Sequence, residues 1–201
     1  VNPIKIVLAD DQALVRQGLA ALLDLEQDLQ VVAQLPDGAS VVEAIAHHGA
    51  DLAILDIEMP GTDGLATAAQ VSEQTQAKIL ILTTFGRAGY LQRALDAGAQ
   101  GFMVKDSPAE ELTAAIRSIM AGRTVVDPAL AVQALIQQNP LTSREQDVLR
   151  ATLAGSSVRD IAAQLHLSAG TVRNLLSEAI SKTGSKNRAQ AAGYARDQGW
   201  L

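Results

Sequence analysis

The chain contains no cysteine, which excludes disulfides, thiol nucleophiles and thiolate metal sites. Aromatic side chains are nearly absent, with one Trp, two Tyr and two Phe in 201 residues. The apolar half of the composition must therefore come from Ala, Leu, Val and Ile. No run approaches the roughly 18 apolar residues of a membrane span. No basic stretch with a cleavage site precedes the first strand-like segment, IKIVLA, so secretion is not expected. These absences predict a soluble cytoplasmic protein without membrane contact. The length allows one large domain or two small ones.

The net charge of −6 hides an asymmetry. Residues 1–122 carry 7 Lys and Arg against 16 Asp and Glu, a balance of −9, and residues 123–201 carry 9 against 6, a balance of +3. An acidic half joined to a mildly basic half suggests two tasks, one of them nucleic-acid contact.

In the first half, short Val/Ile/Leu runs at about 4–9, 30–35, 51–55, 78–83 and 100–104 alternate with segments whose apolar residues recur every three or four positions. Strict alternation of five strands with five helices predicts a doubly wound α/β domain over residues 1–121. Its last helix is expected at roughly 108–121, with Ser107 capping, Pro108 at the first helical position and Glu110 completing a capping box. Residues 122–139 read as a linker with a short helix. Residues 140–201 show only helical patterns, the first opened by Thr142 and Glu145.

Polar residues stand where the hydrophobic runs end: Asp10 and Asp11 after the first, Asp56 after the third, Thr83 closing the fourth, Lys105 after the fifth. Parallel sheets bind ligands outside the carboxyl ends of their strands, so these groups should converge. Carboxylates this close repel one another unless one is protonated or a cation is present. An oxygen-only donor set suits Mg2+. Such a cluster could accept a phosphoryl group, with Asp56 as nucleophile and Lys105 holding an oxygen. A lone Asp at a strand end more often caps a loop, but the whole ordered set is hard to explain that way.

The series Asp10-Asp11, DIEMPGTDG around Asp56, Thr83 and GFMVKD around Lys105 resembles the receiver domain of two-component response regulators, over about residues 4–121. The resemblance implies a flavodoxin-like five-stranded sheet of order 2-1-3-4-5 and phosphoryl transfer from a sensor histidine kinase to Asp56. It implies Mg2+ held by Asp10, Asp11, Asp56 and the carbonyl of Glu58, with Asp10 acting through water. It also implies that Thr83 moves to the phosphoryl group while Phe102 swings into the space left behind. Asp106 follows Lys105 where many receivers have proline, which removes a cis peptide and keeps the ammonium. Phe85 is expected in the core, and His47 and His48 in solvent.

In the second half, SVRDIAAQL and SAGTVRNLLSEAISK read as two helices around a tight turn, the second capped by Ser168. That layout suits a helix-turn-helix with Thr171, Arg173, Asn174 and Ser177 directed at double-stranded DNA, and with Lys182, Lys186 and Arg188 on phosphates. The wider pattern, LTSREQDVLRATLAG with IAAQLHLSAGTVRNLLSEAISKTGSKNRAQA, resembles the four-helix LuxR-type domain of NarL/FixJ response regulators, near those controlling membrane-lipid desaturation. Few basic contacts predict weak monomer binding, and so binding as a homodimer on paired half-sites. The family resemblance implies a dimer face on the first and fifth helices, including Leu14, Leu19, Leu22, Ile116, Ile119 and Met120.

The expected function is thus a phosphorylation-activated transcription regulator and not an enzyme. Competing readings are a Mg2+-dependent aspartyl-phosphate phosphatase, a phosphorylation-independent DNA-binding regulator, and a receiver joined to a protein-interaction bundle. The absence of a DxDxT loop at Asp56 argues against the first, and the complete acidic set against the second.

Overall fold

Apolar runs too continuous for a sheet with one wet face need helices on both sides, and the structure, a computed structural model describing residues 2–84, 88–136 and 139–201, has that architecture. Strands β1 (Ile4–Ala9), β2 (Leu29–Leu35), β3 (Leu52–Asp56), β4 (Lys78–Thr83), β5 (Gly101–Val104) and β6 (Val125–Val126) form one sheet. Their order is β2-β1-β3-β4-β5-β6, and every neighbouring pair is parallel. The five expected strands hold their expected order. The sixth lies where a linker was expected: two valines pair with Gly101 and Phe102 and extend the edge.

Helices α1 (Ala13–Leu23), α2 (Val41–His48), α3 (Gly64–Gln74), α4 (Ala88–Asp96) and α5 (Ala109–Met120) follow the first five strands, and α6 (Pro128–Ile136) follows β6. Ala20 and Leu23 of α1 and Leu112, Ala115, Ile116 and Ile119 of α5 pack on Ile6, Leu8, Leu52, Ile54, Leu80 and Leu82. Alternate strand residues point to the other face, and Val7, Ala53, Leu55, Ile81 and Phe102 are buried as well. Each fully buried Leu or Ile contributes about 1.5–3 kcal/mol. The sheet therefore gives the strand tips a stiff base. Phe85 lies outside the described residues.

The start of α5 differs from expectation. Pro108 is the N-cap, extended at ψ 147, with no side-chain cap bond. The helix begins one residue later, so Ser107 falls outside its cap and its buried Oγ has no hydrogen-bond partner among the described residues.

A second compact unit comprises chiefly Ala134–Leu201, built on α7 (Ser143–Leu153), α8 (Val158–Gln164), α9 (Ala169–Thr183) and α10 (Arg188–Asp197). Its core joins Val148, Leu149, Ile161, Val172, Leu176, Ala179, Ala191, Ala195 and Trp200. Side chains cap all four helices, Thr142, Ser157, Ser168 and Asn187 each accepting an N–H from the first turn. Such caps stabilise by about 1 kcal/mol each. His166, in the turn between α8 and α9, is left-handed at φ 54. Among the described residues no helix is long and apolar enough to cross a membrane.

Candidate functional site

The tips of β1, β3 and β5 bring Asp10, Asp56 and Lys105 together. The Lys105 ammonium lies 2.7 Å from Asp10 and 2.9 Å from Asp56. All three side chains are sealed, Lys105 being 7% exposed. Asp11 is exposed, and one carboxylate oxygen from each of Asp10, Asp11 and Asp56 lies within 4.8 Å of the others. Thr83, also buried, ends β4 beside them, and the Lys105 N–H donates to its carbonyl at 2.8 Å.

Burial is the largest influence on Asp56 and pushes its carboxyl above the ordinary range, helped by Asp10 and opposed by Lys105. Burial alone would lower Lys105, but its bonds to Asp10 and Asp56 outweigh it and raise the ammonium. The pocket thus sets three carboxyl groups around one lysine. Three oxygen donors and no nitrogen or sulfur fit a hard divalent cation. Glu58 bonds through its main chain to the Asp56 carboxylate, so its backbone lies beside the same pocket.

The loop after Asp56 is shaped by two glycines. Gly61 has φ +79, where other residues are strained. A Cβ on Gly64 would stand 1.9 Å from the Asp56 carbonyl oxygen, so only glycine lets α3 start this close to β3. Asp63 caps that helix, accepting the Ala66 N–H at 2.7 Å. Two supports of Asp10 are not visible in the sequence: the Gln12 N–H donates to its Oδ1 at 2.8 Å, and the Arg16 guanidinium donates to its carbonyl. DQALVR carried both residues, but nothing local marked their direction.

Phe102 is buried, 1% exposed. On the expected dimer face only Leu14 is open, at 84% exposure, while Leu19, Leu22 and Met120 are half-buried. Ile116 and Ile119 are fully buried, because the face of α5 that carries them packs on the sheet; they are not surface residues. Gly18 and Ala21 share the open face of α1 with Leu14, and Leu25 beyond its end is 83% exposed.

In the helical unit, Thr171, Arg173, Asn174 and Ser177 lie on the exposed side of α9, opposite buried Val172, Leu176 and Ala179. The Ser168 hydroxyl accepts the Thr171 N–H at 3.0 Å and pairs with the Thr171 hydroxyl. Lys186 is exposed and Arg188 half-buried. Lys182 is engaged: its ammonium meets both Glu145 carboxylate oxygens at 2.8 Å. Exposed Arg144 and Arg159, not singled out from sequence, have no ion pair among the described residues.

Residues 6–117 match the family described as response regulator receiver domain, and residues 139–195 match bacterial regulatory proteins of the luxR family. The chain is 42% identical to the transcriptional regulatory protein DesR of Bacillus subtilis (strain 168), covering 98% of this chain and 99% of DesR. It is equally 42% identical to the uncharacterized transcriptional regulatory protein YvfU of the same strain, over 98% and 100%. Among solved structures it resembles the response regulator ChrA of a heme-sensing two-component system, with TM-score 0.61, 33% identity and full coverage of both chains. The fold is also shared with RcsB in a DNA complex, with TM-score 0.70 and 23% identity over 97% of this chain and 98% of that one.

Proposed function

Because this chain belongs to the response regulators, with a receiver domain followed by a LuxR-family DNA-binding domain, we propose that it is a transcription factor switched on by phosphorylation of Asp56. The observation that carries this reading is the junction of Asp56, Asp10 and Lys105 at the strand tips, with Asp11 alongside.

A sensor histidine kinase supplies the phosphoryl group. An Asp56 oxygen forms a bond to phosphorus as the bond to the kinase imidazole breaks, and the imidazole nitrogen leaves with the electron pair. Asp10, Asp11, Asp56 and the Glu58 carbonyl would hold Mg2+, which would withdraw charge from the phosphoryl oxygens. Lys105 gives up part of its contact with Asp56 and holds one of those oxygens. The Thr83 hydroxyl turns toward the new group, and the buried position of Phe102 supports a two-state coupling between them.

The active receiver self-associates through the open face of α1, where Leu14, Gly18 and Ala21 leave apolar surface uncovered and Leu25 continues it. Two C-terminal domains then engage two half-sites. Arg173 reads guanine and Asn174 adenine by paired hydrogen bonds, and Lys186, Arg188, Arg144 and Arg159 meet phosphates.

Sedimentation and DNA binding with Mg2+ and beryllofluoride, on wild type and Asp56→Ala, test this reading. Wild type alone is expected to dimerise and to tighten on DNA. Equal dimerisation of both proteins would refute the phosphorylation switch.

A further inference from the structure

Glu145 is an acidic residue buried to 3% exposure in a unit whose core is otherwise apolar. One of its oxygens accepts the Thr142 N–H at 2.7 Å, closing the capping box of α7. Both oxygens receive the Lys182 ammonium, which reaches across 37 residues of sequence from the last turn of α9. One carboxylate therefore clamps the start of α7 to the end of the helix that carries Arg173 and Asn174.

From this geometry we propose that Glu145 is a positioning residue for the recognition helix and that Lys182 is its anchor, contributing no phosphate contact. The proposal rests on the DNA-binding reading above and alters its electrostatics, since Lys182 had been expected on phosphate. Successive side chains of a helix stand about 100° apart. Rolling α9 by one residue would pull Lys182 off Glu145 and turn Arg173 and Asn174 away together, so the clamp selects the face presented. An ammonium already balanced by two carboxylate oxygens has few counterions to release on DNA. Arg144, Arg159, Arg173, Lys186 and Arg188 have no ion pair among the described residues and remain available for that role. A buried carboxylate does not tolerate loss of its cation, which ties Lys182 to its partner whether or not DNA is present.

The salt dependence of binding separates an anchor from a phosphate contact. Full-length chain is titrated onto a mixed-sequence DNA duplex at several salt concentrations. Lys186→Gln should flatten the plot of log K against log salt by about 0.9, the effect of one lost phosphate contact. Lys182→Gln should give a line parallel to wild type. Glu145→Gln, which keeps an acceptor for Thr142 and frees the ammonium, should steepen the line by about 0.9. Thermal melting of the same proteins reports folding, and Lys182→Arg should recover the melting temperature lost in Lys182→Gln while leaving the slope unchanged. Flattening by Lys182→Gln equal to that by Lys186→Gln would overturn the proposal. Failure of the wild type to bind any duplex would instead remove the DNA-binding reading, and the proposal with it.

Discussion

The Lys105 ammonium sits 2.9 Å from the Asp56 carboxylate, inside the group of oxygens that a divalent cation would share. It partly neutralises the pocket in the absence of metal. Lys105→Met should therefore lower the melting temperature in EDTA, because Asp10 and Asp56 are left buried without a cation. Added Mg2+ should raise the melting temperature more in the variant than in wild type. Differential scanning fluorimetry against Mg2+ concentration checks both effects, and a smaller metal response in the variant would count against this account of the charge balance.

Gly64→Ala places a methyl group 1.9 Å from the Asp56 carbonyl oxygen. Neither backbone can yield without moving Asp56. The expected cost is about 1–3 kcal/mol in urea unfolding, with slower phosphorylation from acetyl phosphate followed by intact mass. Gly18→Ala, where the added carbon meets nothing within 4 Å, serves as the control and should keep the phosphorylation rate.

Leu14 is 84% exposed and Leu25 is 83% exposed. Replacing each by Glu should change the unfolding free energy by no more than about 0.5 kcal/mol, as for other open surface changes. Replacing both should abolish the dimer formed with beryllofluoride. Sedimentation velocity decides, and a dimer that survives the double substitution places the self-associating surface elsewhere.

The carboxyl of Glu145 would be raised by burial, but the Lys182 ammonium and the Thr142 N–H and hydroxyl hold it below its ordinary 4.5. A depressed carboxyl pKa stabilises the folded state fully above the unfolded value and progressively loses that contribution as pH falls through the folded one. The helical unit should thus be insensitive to this group at neutral pH and weaken below about pH 4.5. Lys182→Met should destabilise it by about 2 kcal/mol at pH 7 and reduce the fall in stability on acidification. Circular dichroism melts across pH 3–7 measure the difference.

The site was largely legible because strands buried on both faces leave continuous apolar runs, and the residue ending each run must then sit at the sheet's rim. Asp10, Asp56 and Lys105 meet for that reason. The Thr142 and Ser168 caps were equally visible, being local patterns. Tertiary partners were not. Nothing near Lys182 announces a carboxylate 37 positions earlier, and periodicity in α5 marks an apolar face without saying that Ile116 and Ile119 turn inward. Val125 and Val126 are too few to form a pattern, and only their pairing with β5 makes them a strand.

That short edge strand ties the polypeptide leaving the sheet to the strand that bears Phe102 and leads into Lys105. The Val125 amide donates to the Gln100 carbonyl and the Asp127 amide to that of Phe102, at 2.9 and 3.0 Å. A backbone shift of β5 at Phe102 would pass through these bonds directly, with no side chain as intermediary. Deuterium uptake at those two amides therefore gauges any shift of the β5 backbone from within the molecule.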